Sequence, residues 1–204
     1  MKIIDLSYPI DNTTSVYPGD SNLRLVQGRW MARDHYNGFT LQTQLHVGTH
    51  VDMPMHMADN PMKASDYPLE RFVGKGLALD CRNQTSIVPD AAWDAIQSGV
   101  IPILVTGWGA YFGRPEYFAA HPMLSMEAAA FLIDRGVGMV AMDLPSPDRG
   151  GFAVHRALCQ AGILLVENLC RPERLLGLPG FQFMALPLNM PTEASLVRAV
   201  AIPG

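Results

Sequence analysis

Hydrophobic and polar positions alternate along this chain in short runs, and glycine and proline keep the runs apart. In "GFTLQTQLH" the alternation is strict. Phe39, Leu41, Thr43 and Leu45 share one face, while Thr40, Gln42, Gln44 and His46 share the other. This period-two pattern predicts a half-buried strand that delivers His46 on its polar side. "KIIDLSY" reads as an earlier strand, ended by the turn-forming "YPGD" at Tyr17 to Asp20.

Further along, strands and helices alternate. "GLALDC" (Gly76 to Cys81) predicts a strand, and "PDAAWDAIQSG" a helix stopped at Gly99. The strand "IPILVTGW" follows. "SMEAAAFLIDRG" is a helix with Ser125 as N-cap and Gly136 as its stop. "GMVAMD", the short helix "AVHRALCQAG" and the strand "ILLVEN" continue the pattern. "PERLLG" adds a helical turn, and "FQFMALPL" and "LVRAVAI" complete the sheet. A β-α-β middle between strand-rich ends predicts an α/β fold with a mixed sheet, in one domain over residues 1–204.

Composition narrows the functional classes. Apolar residues make up 49% and charged residues 17%, as expected of a globular chain with a full core. The net charge is -4 and the charges are scattered, which disfavours nucleic acid or an anionic membrane as partner. Apolar runs fall well short of the roughly 18 residues of a membrane span. Asp5 arrives too early for a secretory signal. Cys81, Cys159 and Cys170 form no C-x-x-C pair, and a reducing, cytoplasmic setting fits them.

The chemistry concentrates in "HVGTHVDMPMH". His46, His50 and His56 are three of the six histidines in the chain, with Asp52 among them. Gly48 and Pro54 argue against a helical i, i+4 zinc pair. All four residues are even-numbered, so an extended backbone would send them to one side, with Gly48 allowing a bend. Neutral imidazoles and a carboxylate suit a divalent transition metal, zinc before manganese. A second group lies in "HRALCQAGILLVEN": His155 on a short helix and Glu167 at the end of an apolar strand. Together the two groups supply the ligands that a two-metal site needs. His35 and His121 read as surface residues, and Cys159 and Cys170 as small buried thiols. Trp108, Asp143, Ser146 and Asp148 either shape a pocket or serve as turn residues. Met53, Met55, Met57 and Met62 read as packing.

These residues carry a resemblance. H-x-G-T-H-x-D-x-P-x-H resembles the signature of the cyclase-like metal-dependent hydrolases, which include bacterial kynurenine formamidase, isatin hydrolase and polyketide-associated cyclases. The likeness extends over nearly the whole chain, through "DLSYPI", "VYPGD", "TGWG", "LIDRGVGMVAMDLPSPD", "AVHRAL", "VENL" and "FMALPL…VRAVAIPG". It implies a swivelling β/β/α fold assembled as a homodimer or larger homo-oligomer. It implies that His46, His50 and Asp52 bind one zinc and that Asp52, His155 and Glu167 bind a second, with Asp52 and Glu167 shared. It also implies that His56 is the proton donor and acceptor. Tyr17 stands where formamidases carry tryptophan, Met53 and Met57 replace common signature neighbours, and "PTEASLVRA" replaces a "GADGSPVRA"-like ending. The departures bear on the substrate and leave the metal chemistry intact.

The expected activity is hydrolysis of a C–N amide bond by metal-bound hydroxide. An arylformamidase acting on N-formylkynurenine, in tryptophan catabolism, is the leading reading. His56 is the general acid and base, and Tyr17 packs an aromatic amide substrate. His56 as a metal ligand is the alternative for that residue. Alternatives for the whole chain are an isatin-type lactam or lactone hydrolase, a polyketide-type cyclase, and a metal-binding protein without turnover. The absence of G-x-S-x-G and of a cysteine–histidine dyad disfavours a nucleophilic hydrolase.

Overall fold

The computed structural model describes residues 2–204. Its strands, in chain order, begin with β1 (Ile4–Asp5), β2 (Arg24–Arg29), β3 (Gly38–Gln42), β4 (His50–Asp52), β5 (Val73–Asp80) and β6 (Ser86–Ile87). They continue with β7 (Val100–Val105), β8 (Met123–Leu124), β9 (Met139–Met142), β10 (Leu164–Glu167), β11 (Phe181–Met184), β12 (Ala194–Leu196) and β13 (Val200–Pro203). The α-helices are α1 (Met31–Asp34), α2 (Glu116–Ala119), α3 (Met126–Asp134) and α4 (Ala153–Gln160).

One sheet has nine strands in the order β1-β13-β11-β5-β7-β9-β10-β4-β12. Its centre, β5, β7, β9 and β10, is parallel, and both flanks are antiparallel. Parallel neighbours need crossovers. α4 makes the one from β9 to β10, and α3 lies in the one from β7 to β9. Ser125 caps α3 as its position predicts, its hydroxyl accepting from the Ala128 amide at 3.0 Å. Such a cap contributes about 1 kcal/mol.

The central strands read as continuous apolar runs because both faces are covered. Ile103, Ala141 and Val166 enter one core, while Leu104, Val140 and Leu165 enter another. The sheet curls around the first core, so Ile4, Val51, Phe183 and Ala201 from its two flanks share it. Helices roof the second, through Ala128, Leu132, Val154 and Leu158.

This alternation positions the site. Val51 takes the first core, so His50 and Asp52 on either side of it face the helical layer. The register sets His50 opposite Glu167 and Asp52 opposite Leu165. Leu165 belongs to the helical-side core, and Glu167, two residues on, shares its face. α4 lies in that layer with Val154, His155, Leu158 and Cys159 buried, which brings His155 to the same place.

Four local expectations are corrected. β3 ends at Gln42 and pairs only with β2, leaving Phe39 62% and Leu41 49% exposed. Its alternation is real, but no core lies under its apolar face. The segment predicted as a helix before Gly99 is a single 3-10 turn, Ala91–Ala95, with the Asp90 side chain accepting from the Ala92 amide at 2.9 Å. Extended backbone covers only His50–Asp52 of the histidine-rich stretch. His121, expected at the surface, is buried with Nδ1 2.8 Å from the Pro122 carbonyl. Periodicity cannot place a lone polar residue in a loop. His35 is exposed, as expected.

Candidate metal centre

Turns bring His46 and His56 to the strand that carries His50 and Asp52. Gly48 has φ +59°, a left-handed conformation that costs glycine little. A Cβ there would meet Ile10 Cγ1 at 3.4 Å. The Gly48 carbonyl consequently faces inward, where Nδ1 of His50 and Nδ2 of Asn168 each donate to it at 2.9 Å. Past Asp52, Met53 is fully buried and Pro54 opens the 3-10 turn Pro54–His56. The His56 amide donates to the Met53 carbonyl at 2.9 Å, and the turn packs on α4.

Asp52 lies at the middle of the resulting cluster. Its Oδ1 is 2.9 Å from His46 Nδ1 and 3.4 Å from His50 Nε2, and its Oδ2 is 3.5 Å from His155 Nε2. Glu167 Oε2 lies 3.4 Å from His50 Nε2. The His56 ring centroid is 4.2 Å from that of His46 and 5.2 Å from that of His155. Two triads gather ligand atoms within 4.8 Å of one another: His46, Asp52 and His56, and His50, Asp52 and Glu167. All six chemistry-bearing residues of the sequence analysis therefore meet in one place.

The donor set fits a divalent cation. His50 Nε2, both Asp52 oxygens, His155 Nε2 and Glu167 Oε1 are buried without a hydrogen-bond partner. Leaving such atoms unsatisfied costs about 1–3 kcal/mol each, more where charged, and coordination would remove that cost. The electrostatics agree. Burial opposes charge on His46, yet Asp52 and then Glu167 and Glu193 raise its pKa to about 9. His155 is likewise disfavoured by burial but pushed up to about 11 by Asp52, Cys159 and Glu167. Burial alone would raise the Asp52 pKa, but His50, His46 and His155 outweigh it and hold the carboxyl well below the usual range. Burial and then the Asp52 charge raise that of Glu167. A pocket that draws in protons this strongly also suits a metal ion. His56 differs: burial, then the imidazoles around it, lower its pKa to about 4 against the pull of Asp52, so it is neutral at pH 7.

The cluster forms the floor of a cavity of about 390 Å³. Tyr17 lines it, 38% exposed, with its ring edge-on to Phe118 at 5.6 Å. Phe118, Phe152, Met57, Asp20, Gln44 and Glu193 also line it. Ser146 Oγ lies 3.4 Å from His155 Nδ1, which gives this serine, left ambiguous by sequence, a place beside the cluster. Asp143 instead accepts from the Thr106 amide and hydroxyl at 2.9 and 2.6 Å, a tertiary contact that ties the end of β9 to the end of β7. Cys159 is a buried free thiol, as expected, whereas Cys170 is only partly buried.

Sequence reasoning missed Asn168, Asp20 and Glu193. Asn168 follows directly on Glu167 and adopts φ +57°, a conformation asparagine tolerates. An asparagine ending a buried strand was the available signal. In the sequence Asp20 belongs to the turn-forming "YPGD", and nothing local marks Glu193.

The model of the Cyclase family matches residues 4–149. The kynurenine formamidase of Salinibacter ruber (strain DSM 13855 / M31) is 30% identical over 98% of this chain and 97% of its own length. That of Bacillus mycoides (strain KBAB4) is 29% identical over the same shares. An isatin hydrolase bound to the product analogue thioisatinate superposes with a TM-score of 0.87 at 18% identity, over 100% of this chain and 93% of that one, a likeness of fold. With the histidine–aspartate signature folded into one buried cluster and the family model matched across it, the chain belongs to the Cyclase family of hydrolases.

Proposed function

We propose that this protein hydrolyses the C–N bond of an amide, with an aryl formamide such as N-formylkynurenine as the leading substrate. The observation that carries the reading is the set of buried, unpartnered ligand atoms on His50, Asp52, His155 and Glu167 beside a half-buried His56. His46, His50 and Asp52 would hold one divalent cation, and Asp52, His155 and Glu167 a second. Imidazole and carboxylate donors favour zinc over manganese. Bound there, the metal supplies Lewis-acid polarisation of a carbonyl and lowers the pKa of a water to about 7.

The protein's own groups do the rest. His56 accepts the proton of the attacking water and passes it to the departing nitrogen. Ser146 and the Gly48 carbonyl orient His155 and His50 through their Nδ1 atoms, so that each Nε2 faces the carboxylates. Tyr17 and Phe118 offer aromatic surface to an aryl substrate. Curated relatives named kynurenine formamidase support the formamide reading. The apolar side chains that the β2–β3 hairpin leaves exposed, Val26, Phe39 and Leu41, support a homo-oligomer. Among the described residues no helix is long and apolar enough to cross a membrane. Unpaired Cys81 and Cys159 fit a reducing, cytoplasmic setting.

The test is metal analysis of the purified protein with a screen on N-formylkynurenine, isatin and simple aryl esters. Zinc near two per chain with formamide cleavage is the expected result. Cleavage of esters alone would overturn the formamidase assignment.

A further inference from the structure

The cavity is charged unevenly. Its floor holds the buried carboxylates and imidazoles, while Asp20 and Glu193 lie further out, both partly exposed, and no lysine or arginine lines it. Among the described residues, no lysine or arginine forms an ion pair with either outer carboxylate. Glu193 approaches only His46, at 3.5 Å from Nε2. With its amide nitrogen turned toward Asp20, Gln44 donates to both carboxylate oxygens at 3.1 Å and accepts from the Ser21 amide at 3.2 Å. Asp20 is thus held in place by a neutral group that leaves its charge uncompensated. Tyr17, Phe118 and Phe152 give the same cavity aromatic faces.

We infer that among aryl formamides the site prefers one that carries an ammonium group, and that a carboxylate beside that group, as in N-formylkynurenine, offsets the preference. This rests on the amide-hydrolase reading and narrows it. An ammonium near the outer part of the cavity meets two carboxylates and the faces of aromatic rings, all attractive to a cation. A substrate carboxylate beside Asp20 meets like charge with no basic side chain at hand, since the cationic groups lie on the floor and His46 is already shared with Glu193. N-formylkynurenine, an amino acid, brings both groups and so gains and loses together. A formylated aryl amide bearing only an amine keeps the gain. The contact lies away from the reacting bond and is felt equally in ground and transition states, so it acts on KM rather than kcat.

The experiment compares metal-loaded protein on N-formylkynuramine, formanilide, N-formylkynurenine and N-formylanthranilate, which carry respectively an ammonium, no charge, both charges and a carboxylate. N-formylkynuramine should lead, about tenfold above formanilide through KM, with the gap closing as salt rises. Asp20→Asn should cut the ratio of these two substrates about fivefold. The ratio is independent of the fraction of variant that folds. Calorimetry without turnover should find kynuramine bound more tightly than kynurenine, by a margin that Asp20→Asn reduces. Equal rates on formanilide and N-formylkynuramine, or a preference for N-formylkynurenine, would overturn the inference and leave the formamidase reading standing. Cleavage of no formamide by fully metallated protein would overturn that reading, and this inference with it.

Discussion

Asn168 and His50 donate to the same carbonyl oxygen. Asn168 Nδ2 and His50 Nδ1 each lie 2.9 Å from the oxygen of Gly48, and 3.3 Å from one another. With Nδ1 donating, the Nε2 lone pair of His50 points at Asp52 and Glu167, the tautomer that a metal ligand requires. Asn168 is itself fixed: Tyr117 donates to its Oδ1 at 2.6 Å and Thr49 to its backbone carbonyl at 2.7 Å. This polar network lies under the site and keeps one imidazole oriented.

Asn168→Gly keeps the left-handed backbone and removes the side chain. Zinc affinity should fall about 10–100-fold, as for other residues that orient a ligand. Stability should fall by about 0.5–1.5 kcal/mol, because the Tyr117 hydroxyl loses the shorter of its two hydrogen bonds and keeps the Asp143 carbonyl at 3.2 Å as acceptor. Competitive zinc titration and denaturant unfolding read the two effects. Wild-type zinc affinity in the variant would show that Asn168 does not orient His50.

Glu167→Gln should move the metal-free and metal-loaded proteins in opposite directions. Burial and the neighbouring Asp52 charge both disfavour the ionised carboxyl, so the chelated variant should be more stable than the chelated wild type by about 1–3 kcal/mol. The stabilisation expected of zinc on the wild type, about 2.7 kcal/mol at a hundred times its Kd, should largely vanish in the variant. Thermal unfolding with and without chelator should thus cross over. Parallel shifts would argue against Glu167 as a ligand.

His56→Ala should lower kcat by about 10²–10⁴-fold while metal content stays nearly intact. Its ring lies 4.2 Å from that of His46, and it also belongs to one possible metal triad. Element analysis separates the two roles, since loss of one metal equivalent would make it a ligand.

His121 should give the fold a pH dependence of its own. Burial holds its pKa at about 4, below the ordinary 6.5, so the folded state prefers the neutral ring. That contribution is complete above pH 6.5, declines as pH falls toward 4, and changes no further below it. Its upper limit is about 3 kcal/mol. His121→Gln should flatten the stability profile within this window. An unchanged slope between pH 6.5 and 4 would remove His121 as the source.

Residue chemistry was legible wherever it depended on neighbours in the chain. The cap at Ser125, the turn at Tyr17–Asp20 and the apolar runs of β7, β9 and β10 all answer to local rules, and all three form. "GFTLQTQLH" misleads for the same reason. Alternation says which residues share a face, but whether a core lies beneath that face depends on what else packs there, and β3 meets only β2. The convergence of His46, His50, Asp52 and His56 was foreseen from parity, yet turns at Gly48 and Pro54 produce it.

By itself the sequence determined the candidate ligands, the α/β alternation and the order in which the elements occur, because these follow from side-chain chemistry and short-range periodicity. Tertiary structure alone decided that Glu167 faces His50 across a β10–β4 register, that α4 lays His155 beside them, and that Asp20 and Glu193 share the cavity with Tyr17. Strand register and the curl of the sheet come from covering both faces of the central strands while the flanks close over the first core. The charge states of the cluster come from the burial that this packing imposes, which no short stretch of chain encodes.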